Sequence, residues 1–268
     1  MALRGSDARR GWNRSEIPVA AAPRKALGRI MTVAKESEAN VADRHVGQIV
    51  RAFISGREVY FFIINPEDSI SKFHNAGVFY EQEELDIIAR HFRGGVFVDI
   101  GAHFGNHALY VSKFLDPSKI IVFEPNPLAI DVMRIHFSLN RCMDIDTRFL
   151  GIALAASECR LKAVSPDPNN IGNTMFSPAP DARVLALPGD VLLLNEPVDF
   201  IKLDVEGMEL DILSGMSATL ARWRPTMFVE VWARHDEAFR GWCDVNAYRI
   251  VERYQRYDEI QNYLILPV

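Results

Sequence analysis

The chain is poor in the features that mark the more specialised protein classes. Its 268 residues include only three cysteines, and Cys142, Cys159 and Cys243 lie far apart in no metal-ligand spacing. Thiols so few and scattered argue against a disulfide framework and fit a reducing compartment. No apolar run approaches the ~20 residues a membrane-spanning helix needs, so no span is expected. The N-terminus carries arginines but lacks the apolar core of a secretory signal, and a cytoplasmic location is expected. Positive charge is not in excess: 30 basic residues stand against 35 acidic ones, a net charge of −5. That balance gives a nucleic-acid partner no support. Internal repeats and low-complexity tracts are lacking too. What remains is an ordinary globular composition, 49% hydrophobic and 24% charged, long enough for a large domain with a full core.

Residues 1–45 differ from the rest. Arg4, Arg9, Arg10, Arg14, Arg24, Lys25 and Arg29 sit among alanines, prolines and small polar residues. A flexible arm is expected there, with a functional basic tail as the alternative. Residues 46–93 read as a hairpin turning at Ser55-Gly56, then a helix over "FYEQEELDIIARHF". From residue 94 to 268, strands and helices alternate. Strands are expected at Val96–Asp99, at Ile120–Phe123, within Thr147–Ala155, at "DFIKLDV" and at "TMFVEVW", with helices at His107–Phe114, Leu128–Asn140, Glu209–Leu220 and Asp236–Asn246. Short apolar strands alternating with helices imply an α/β fold, a parallel sheet covered on both faces. The last two strands, "YRIVERY" and "NYLILPV", are joined by too few residues for a crossover and should pair antiparallel.

The first strand–helix turn, "FVDIGAHFGNHALYVSKF", should touch whatever binds, because ligands of open α/β sheets sit outside the strand ends where strand order reverses. Gly101 and Gly105 would let backbone approach a ligand. Position 103 would need a tolerant backbone, and if it is left-handed histidine is among the non-glycine residues enriched there. A dinucleotide would bring a pyrophosphate, for which the Asp99 carboxylate is the wrong charge. A ligand carrying an ammonium group would welcome it. S-adenosylmethionine has that group, a cationic sulfonium, a carboxylate and a ribose diol. Glu124, ending "IIVFEPNP", is placed to bind the diol through two carboxylate oxygens, though nicotinamide enzymes use such an acid as well.

In "DFIKLDVEGMELDILSG", Lys202, Asp204 and Glu206 alternate with Ile201, Leu203 and Val205. A central parallel strand is expected to be apolar, and unpaired buried charge costs several kcal/mol. For Lys202 a structural ion pair is the alternative; for Asp204 and Glu206 function is the better reading. Either could act as general base towards a hydroxyl, as could His103 or His107. These two histidines are four residues apart, but His103 should precede the helix and no third ligand joins them at a suitable spacing, so no metal is expected. The polar stretch "SPDPNNIGNTMF" offers Asn170 and Asn173 as acceptor contacts, and Trp232 as a wall of the acceptor pocket.

Together these segments, with "RPTMFVEV", resemble the FkbM family of S-adenosylmethionine-dependent methyltransferases over roughly residues 75–235. His103 is a departure, the family more often having asparagine. The resemblance implies a class I methyltransferase fold, a Rossmann-like, seven-stranded, mostly parallel sheet with an antiparallel last pair. It implies S-adenosylmethionine as cofactor, with Asp99, Gly101, Ala102, Gly105 and Asn106 around the methionine part and His103 in the same loop. Glu124, Pro125 and Asn126 would hold the ribose and one side of the adenine, Ile152 and Ala153 the other side, and Asp204 would reach the cofactor too. The acceptor would be a hydroxyl on a sugar, glycolipid or polyketide-type metabolite; the alternative is an amide nitrogen of a peptide. A nicotinamide oxidoreductase is disfavoured by Asp99 and the charged fourth strand. A non-catalytic binding module is disfavoured because both candidate carboxylates are present. For the arm and the hairpin, a cap over the acceptor and a homodimer contact both stay open.

Overall fold

A computed structural model describes residues 47–164 and 174–268. The expected N-terminal arm, and Asn170 and Asn173 with it, lie outside those residues. The described chain opens with an antiparallel hairpin, β1 (Gln48–Ile54) and β2 (Arg57–Ile63). Ser55 and Gly56 have φ of 46° and 80°, the positive pair whose twist matches that of the flanking strands. Two helices follow. The first, α1 (Ser69–Asn75), is capped by Asp68, whose Oδ1 accepts the Ile70 and Ser71 N–H groups at 3.1 Å. The second, α2 (Gln82–His91), buries Leu85, Ile87 and Ile88.

The main sheet has seven strands: β3 (Val96–Ile100), β4 (Lys119–Phe123), β5 (Ile145–Asp146), β10 (Val198–Leu203), β11 (Thr226–Trp232), β12 (Tyr248–Tyr257) and β13 (Ile260–Pro267). They lie in the order β12-β13-β11-β10-β3-β4-β5. Strands β11, β10, β3, β4 and β5 pair parallel; β13 runs antiparallel to both β11 and β12. Alternation of side chains divides the core. Val96, Val98, Ile100, Ile121 and Leu203 face one way, against α5 (Gly189–Leu193), α6 (Glu209–Ser214), α7 (Ser217–Trp223) and α8 (Asp236–Val245). Phe97, Ile120, Val122 and Phe200 face the hairpin, α2, α3 (Asn106–Phe114) and α4 (Pro127–Asn140). On that side Phe97 stacks on Phe200 at 5.3 Å, and Phe92 meets both edge-on. The hairpin thus shares a core with the sheet.

Three expectations change in detail. The strand expected within Thr147–Ala155 is β6 (Ile152–Leu154), but it joins a second sheet with β9 (Val184–Leu187), β7 (Cys159–Val164) and β8 (Met175–Pro178), while the main sheet takes the short β5 just before it as its edge. The chain turns between them, with Gly151 at φ 90°. The helix expected over Glu209–Leu220 breaks into α6 and α7 at Gly215, whose carbonyl accepts the Asp190 N–H at 2.9 Å. The charged fourth strand stops at Leu203, so Asp204 and Glu206 leave on a loop, Glu206 with a left-handed φ of 55°.

Candidate active site

Strand order reverses between β3 and β10, and the chain exits of those two strands diverge. Loops leaving them, the start of α1, the segment before α2, the end of β11, the turn between β12 and β13 and the second sheet enclose a cavity of about 490 Å³. That size is ordinary for a small-molecule site.

The glycine loop forms one wall. Gly101 and Ala102 donate their N–H groups to the Phe123 carbonyl, each at 3.0 Å. Gly101 (φ 78°) is required by packing: a Cβ there would run into the Asp204 carbonyl oxygen. A Cβ on Gly105 (φ 77°) would meet Met133 and Phe137 at 2.8 Å. Glycine thus serves loop-to-strand and loop-to-helix approach at these positions, and Gly105 does not line the cavity. His103 is left-handed, φ 49°, as its residue type permits. Its N–H donates to Glu124 Oε2 at 2.8 Å, and the Asn126 N–H donates to Oε1 at 2.7 Å. Glu124 is 5% exposed; burial pushes its pKa up to about 7 against those two hydrogen bonds. Each oxygen keeps a second lone pair for a ligand hydroxyl.

Asn106 ties this loop to the segment before α2. Its Nδ2 donates to the Tyr80 carbonyl at 2.9 Å, and its Oδ1 accepts the Tyr80 N–H at 3.1 Å. His74 Nε2 meets the same oxygen at 3.0 Å; burial holds this imidazole neutral, its pKa down at about 3. The clamp sets the next residue, Glu81, in a left-handed conformation (φ 58°) with its carboxyl on the cavity.

Asp99 sits elsewhere than the ligand chemistry suggested. It is fully buried, does not line the cavity, and stands opposite Lys202 in the β3–β10 ladder. Lys202 Nζ lies 3.3 Å from Asp99 Oδ1, 3.2 Å from Asp204 Oδ2 and 2.8 Å from the Gly101 carbonyl it donates to. An ammonium-bearing ligand would therefore meet Asp99 only through this layer. The structural pairing of Lys202 is present, with Asp99 as an added partner.

Carboxyl groups crowd the far end. Glu81, Asp204, Glu206 and Glu230 all line the cavity. Burial, and then the charge of Asp204, raise Glu81 to about 8 and Glu206 to about 7, and push Glu230 well up. Burial acts on Asp204 in the same sense and is the largest single influence, but Lys202, a hydrogen bond shared with Glu230 and the nearby His107 together hold this carboxyl below its ordinary value. His107 is 5% exposed and neutral, its pKa lowered to about 3 by burial and by Lys202. Trp232 closes this end, with Arg234 over its ring at 4.2 Å.

Of the residues singled out from sequence, Gly101, Ala102, His103, Asn106, Glu124, Pro125, Asn126, Ile152, Ala153, Asp204, Glu206 and Trp232 share this cavity. Glu81 and Glu230 were missed. Glu81 reads as one of several acids favoured at a helix start. Glu230 carried a signal: it is the one charge inside "TMFVEVW", the anomaly used for β10 one strand earlier.

A doubly wound sheet with its cavity at the switch point, and an acid ending the strand after the glycine loop, defines a Rossmann-like α/β protein. Residues 99–264 match the family described as the methyltransferase FkbM domain, and the chain belongs to that family. It is 26% identical over 171 residues to methyltransferase sdnD of Sordaria araneosa, a match covering 50% of this chain and 65% of that protein. Among solved structures it resembles an FkbM methyltransferase from Methylobacillus flagellatus KT, with a TM-score of 0.47 and 18% identity over 71% of this chain and 49% of that one. It also resembles M. jannaschii TYW2, solved in complex with AdoMet, with a TM-score of 0.44 and 13% identity over 83% of this chain and 85% of that one. Among the described residues no helix is long and apolar enough to cross a membrane.

Proposed function

We propose that this cavity binds S-adenosylmethionine and that the protein moves its methyl group to a hydroxyl oxygen of a sugar, glycolipid or polyketide-type metabolite. The observation that carries the reading is the charge of the cavity. Five carboxyl groups, Glu81, Glu124, Asp204, Glu206 and Glu230, line it, and Lys202 is the one lysine or arginine among its described lining residues. A pyrophosphate would find carboxyl groups and one lysine already paired there, whereas a ligand with an ammonium and a sulfonium favours the ionised form of those carboxyls and is held by it.

In this reading Gly101, Ala102, His103 and Asn106 surround the methionine part, with Glu81 and Asp204 near its ammonium and Asp99 and Lys202 setting the field from behind. Glu124, Pro125 and Asn126 take the ribose and one face of the adenine; Ile152 and Ala153 take the other. Methyl transfer is an in-line displacement, so catalysis comes mainly from positioning donor and acceptor. Asp204 or Glu206 receives the acceptor's proton, a contribution of about 10² to 10⁴ in rate. Trp232, Asn170 and Asn173 contact the acceptor.

Thermal unfolding with S-adenosylhomocysteine, S-adenosylmethionine and NAD tests the cofactor. At 100 times its dissociation constant a ligand stabilises by about 2.7 kcal/mol, a shift of very roughly 5–10 °C. The shift should appear with the two adenosyl ligands, be absent with NAD and fall away in Glu124→Ala. No shift with either adenosyl ligand would end the reading. Mass spectrometry of a hydroxyl-acceptor panel then reports the methylated atom.

A further inference from the structure

We propose that Asp204, Glu206 and Glu230 bind one hard divalent cation, of the Mg²⁺ or Mn²⁺ kind, at the acceptor end of the cavity. Their carboxylate oxygens lie within 4.8 Å of one another. Ligands on opposite sides of an ion held at ~2.1 Å are ~4.2 Å apart, so the three oxygens need draw in by only about half an ångström to share a single ion. They come from two elements, the loop leaving β10 and the interior of β11. No spacing in the sequence displays them together, which is why weighing His103 and His107 gave no expectation of a metal.

Two observations make this more than a cluster of acids. Lys202 cannot neutralise the three groups, because its ammonium is already divided among the Gly101 carbonyl, Asp99 and Asp204. Among the described residues no salt bridge reaches Glu206 or Glu230. Independently, the neutral His107 opens on the same cavity, 95% buried, with Nε2 lacking a hydrogen-bond partner. Glu81 Oε2, at 3.7 Å, is too far to supply one. A buried polar atom left so costs about 1–3 kcal/mol unless something in the cavity meets it. Mg²⁺ usually keeps several waters, and one of these is a ready partner.

Resting on the methyltransferase reading, the ion's role follows from charge. An acceptor hydroxyl on the cation would be acidified, and its proton would pass to Asp204 or Glu206 at the carboxylate oxygen that the ion leaves free. The oxygen lone pair forms the new bond to the methyl carbon, and the C–S bond breaks with its electrons kept by sulfur.

The test needs neither acceptor nor turnover. The full chain, stripped with EDTA and dialysed, is titrated with Mn²⁺ and followed by electron paramagnetic resonance. Tb³⁺ luminescence sensitised through Trp232 serves as a second probe. One Mn²⁺ per chain should bind, with a dissociation constant on the order of 10⁻⁵ to 10⁻³ M, and Mg²⁺ should displace Tb³⁺. Glu230→Gln and Asp204→Asn should weaken binding by about ten-fold or more; Glu196→Gln, paired with Lys119 outside the cavity, should not. Circular dichroism checks each fold, and Glu206→Gln replaces either variant that fails to fold. Absence of saturable binding, or equal binding in the cavity variants, overturns the site. Displacement of Tb³⁺ by a primary amine but not by Mg²⁺ also overturns it, giving the carboxylates to a cationic acceptor. S-adenosylhomocysteine affinity is measured in parallel. If it persists without metal binding, the ion site alone is wrong; metal binding without it refutes the cofactor reading instead.

Discussion

Replacing Lys202 by methionine removes the only cation paired with Asp99 among the described residues while keeping most of the side-chain volume. Asp99 is fully buried, and neither of its side-chain oxygens has a hydrogen-bond partner of good geometry. Its compensation is the Lys202 ammonium at 3.3 Å. Burial already raises its pKa, with Lys202 the largest opposing influence. Breaking such a pair by deleting one partner costs about 3–5 kcal/mol, whereas replacing both with apolar groups is often neutral or better. For a domain of this size each kcal/mol moves the melting temperature by roughly 2–4 °C. Lys202→Met should therefore melt roughly 6–20 °C lower than wild type. Asp99→Leu with Lys202→Met should recover most of that loss, leaving a coupling well above the ~0.5 kcal/mol expected of independent sites. Urea titration of wild type, both single variants and the double variant reads the cycle. A Lys202→Met protein within about 1 kcal/mol of wild type would refute the reasoning, since such a cost is ordinary for any substitution. So would a double variant no more stable than Lys202→Met, because Asp99 would then not be the stranded charge.

Two further outcomes follow from the cavity wall. Glu124 is raised from 4.5 to about 7 in the fold, so the native state holds its proton more tightly than the unfolded chain. Its contribution is present below pH ~4.5 and is lost as pH rises through about 7, on the order of 3 kcal/mol in all. Melting curves of the ligand-free protein from pH 5 to 8 should fall more steeply for wild type than for Glu124→Gln; parallel curves would contradict the assignment. Gly101→Ala must place a Cβ against the Asp204 carbonyl at φ 78°, where the left-handed backbone alone costs about 1–2 kcal/mol. Its urea midpoint should drop by the equivalent of more than ~3 kcal/mol, and an unchanged midpoint would show that β3 and β10 can separate there without cost.

Much of the frame was legible because each element follows a local rule. Ser55-Gly56 marks a turn between two β-rich runs, and both residues take the positive φ the turn requires. "TMFVEVW" is bounded by Pro225 and Ala233 and is strand from its first residue to its last. Features that failed to show depend on distant partners. Helix α7 separates from α6 because the Gly215 carbonyl is taken by Asp190, a contact with no trace in the local pattern. The strand within Thr147–Ala155 leaves the main sheet because Ile152–Leu154 pairs with Leu185–Leu187 of β9, a partner far along the chain. Period-two alternation was extended through Asp204 and Glu206, although the β-ladder ends at Leu203.

The same limit explains the two misjudged acids. From the loop sequence Asp99 looked like a ligand contact, because an acid before the glycine turn is the obvious partner for an ammonium. Which way it points is set by the ladder: on β3 it shares a face with Phe97, and on β10 Lys202 shares one with Phe200, so the pair meets beneath the cavity. Glu81 gains its position from Asn106, which grips Tyr80 through both backbone groups and leaves the next carboxyl on the cavity. An acid's type predicts what it can bind; whether it reaches the ligand is decided by the side chain that holds its neighbour. Glu230 is the exception that sequence could have yielded. A single carboxyl inside an otherwise apolar buried strand is costly on any fold, and the cavity it faces supplies the reason for keeping it.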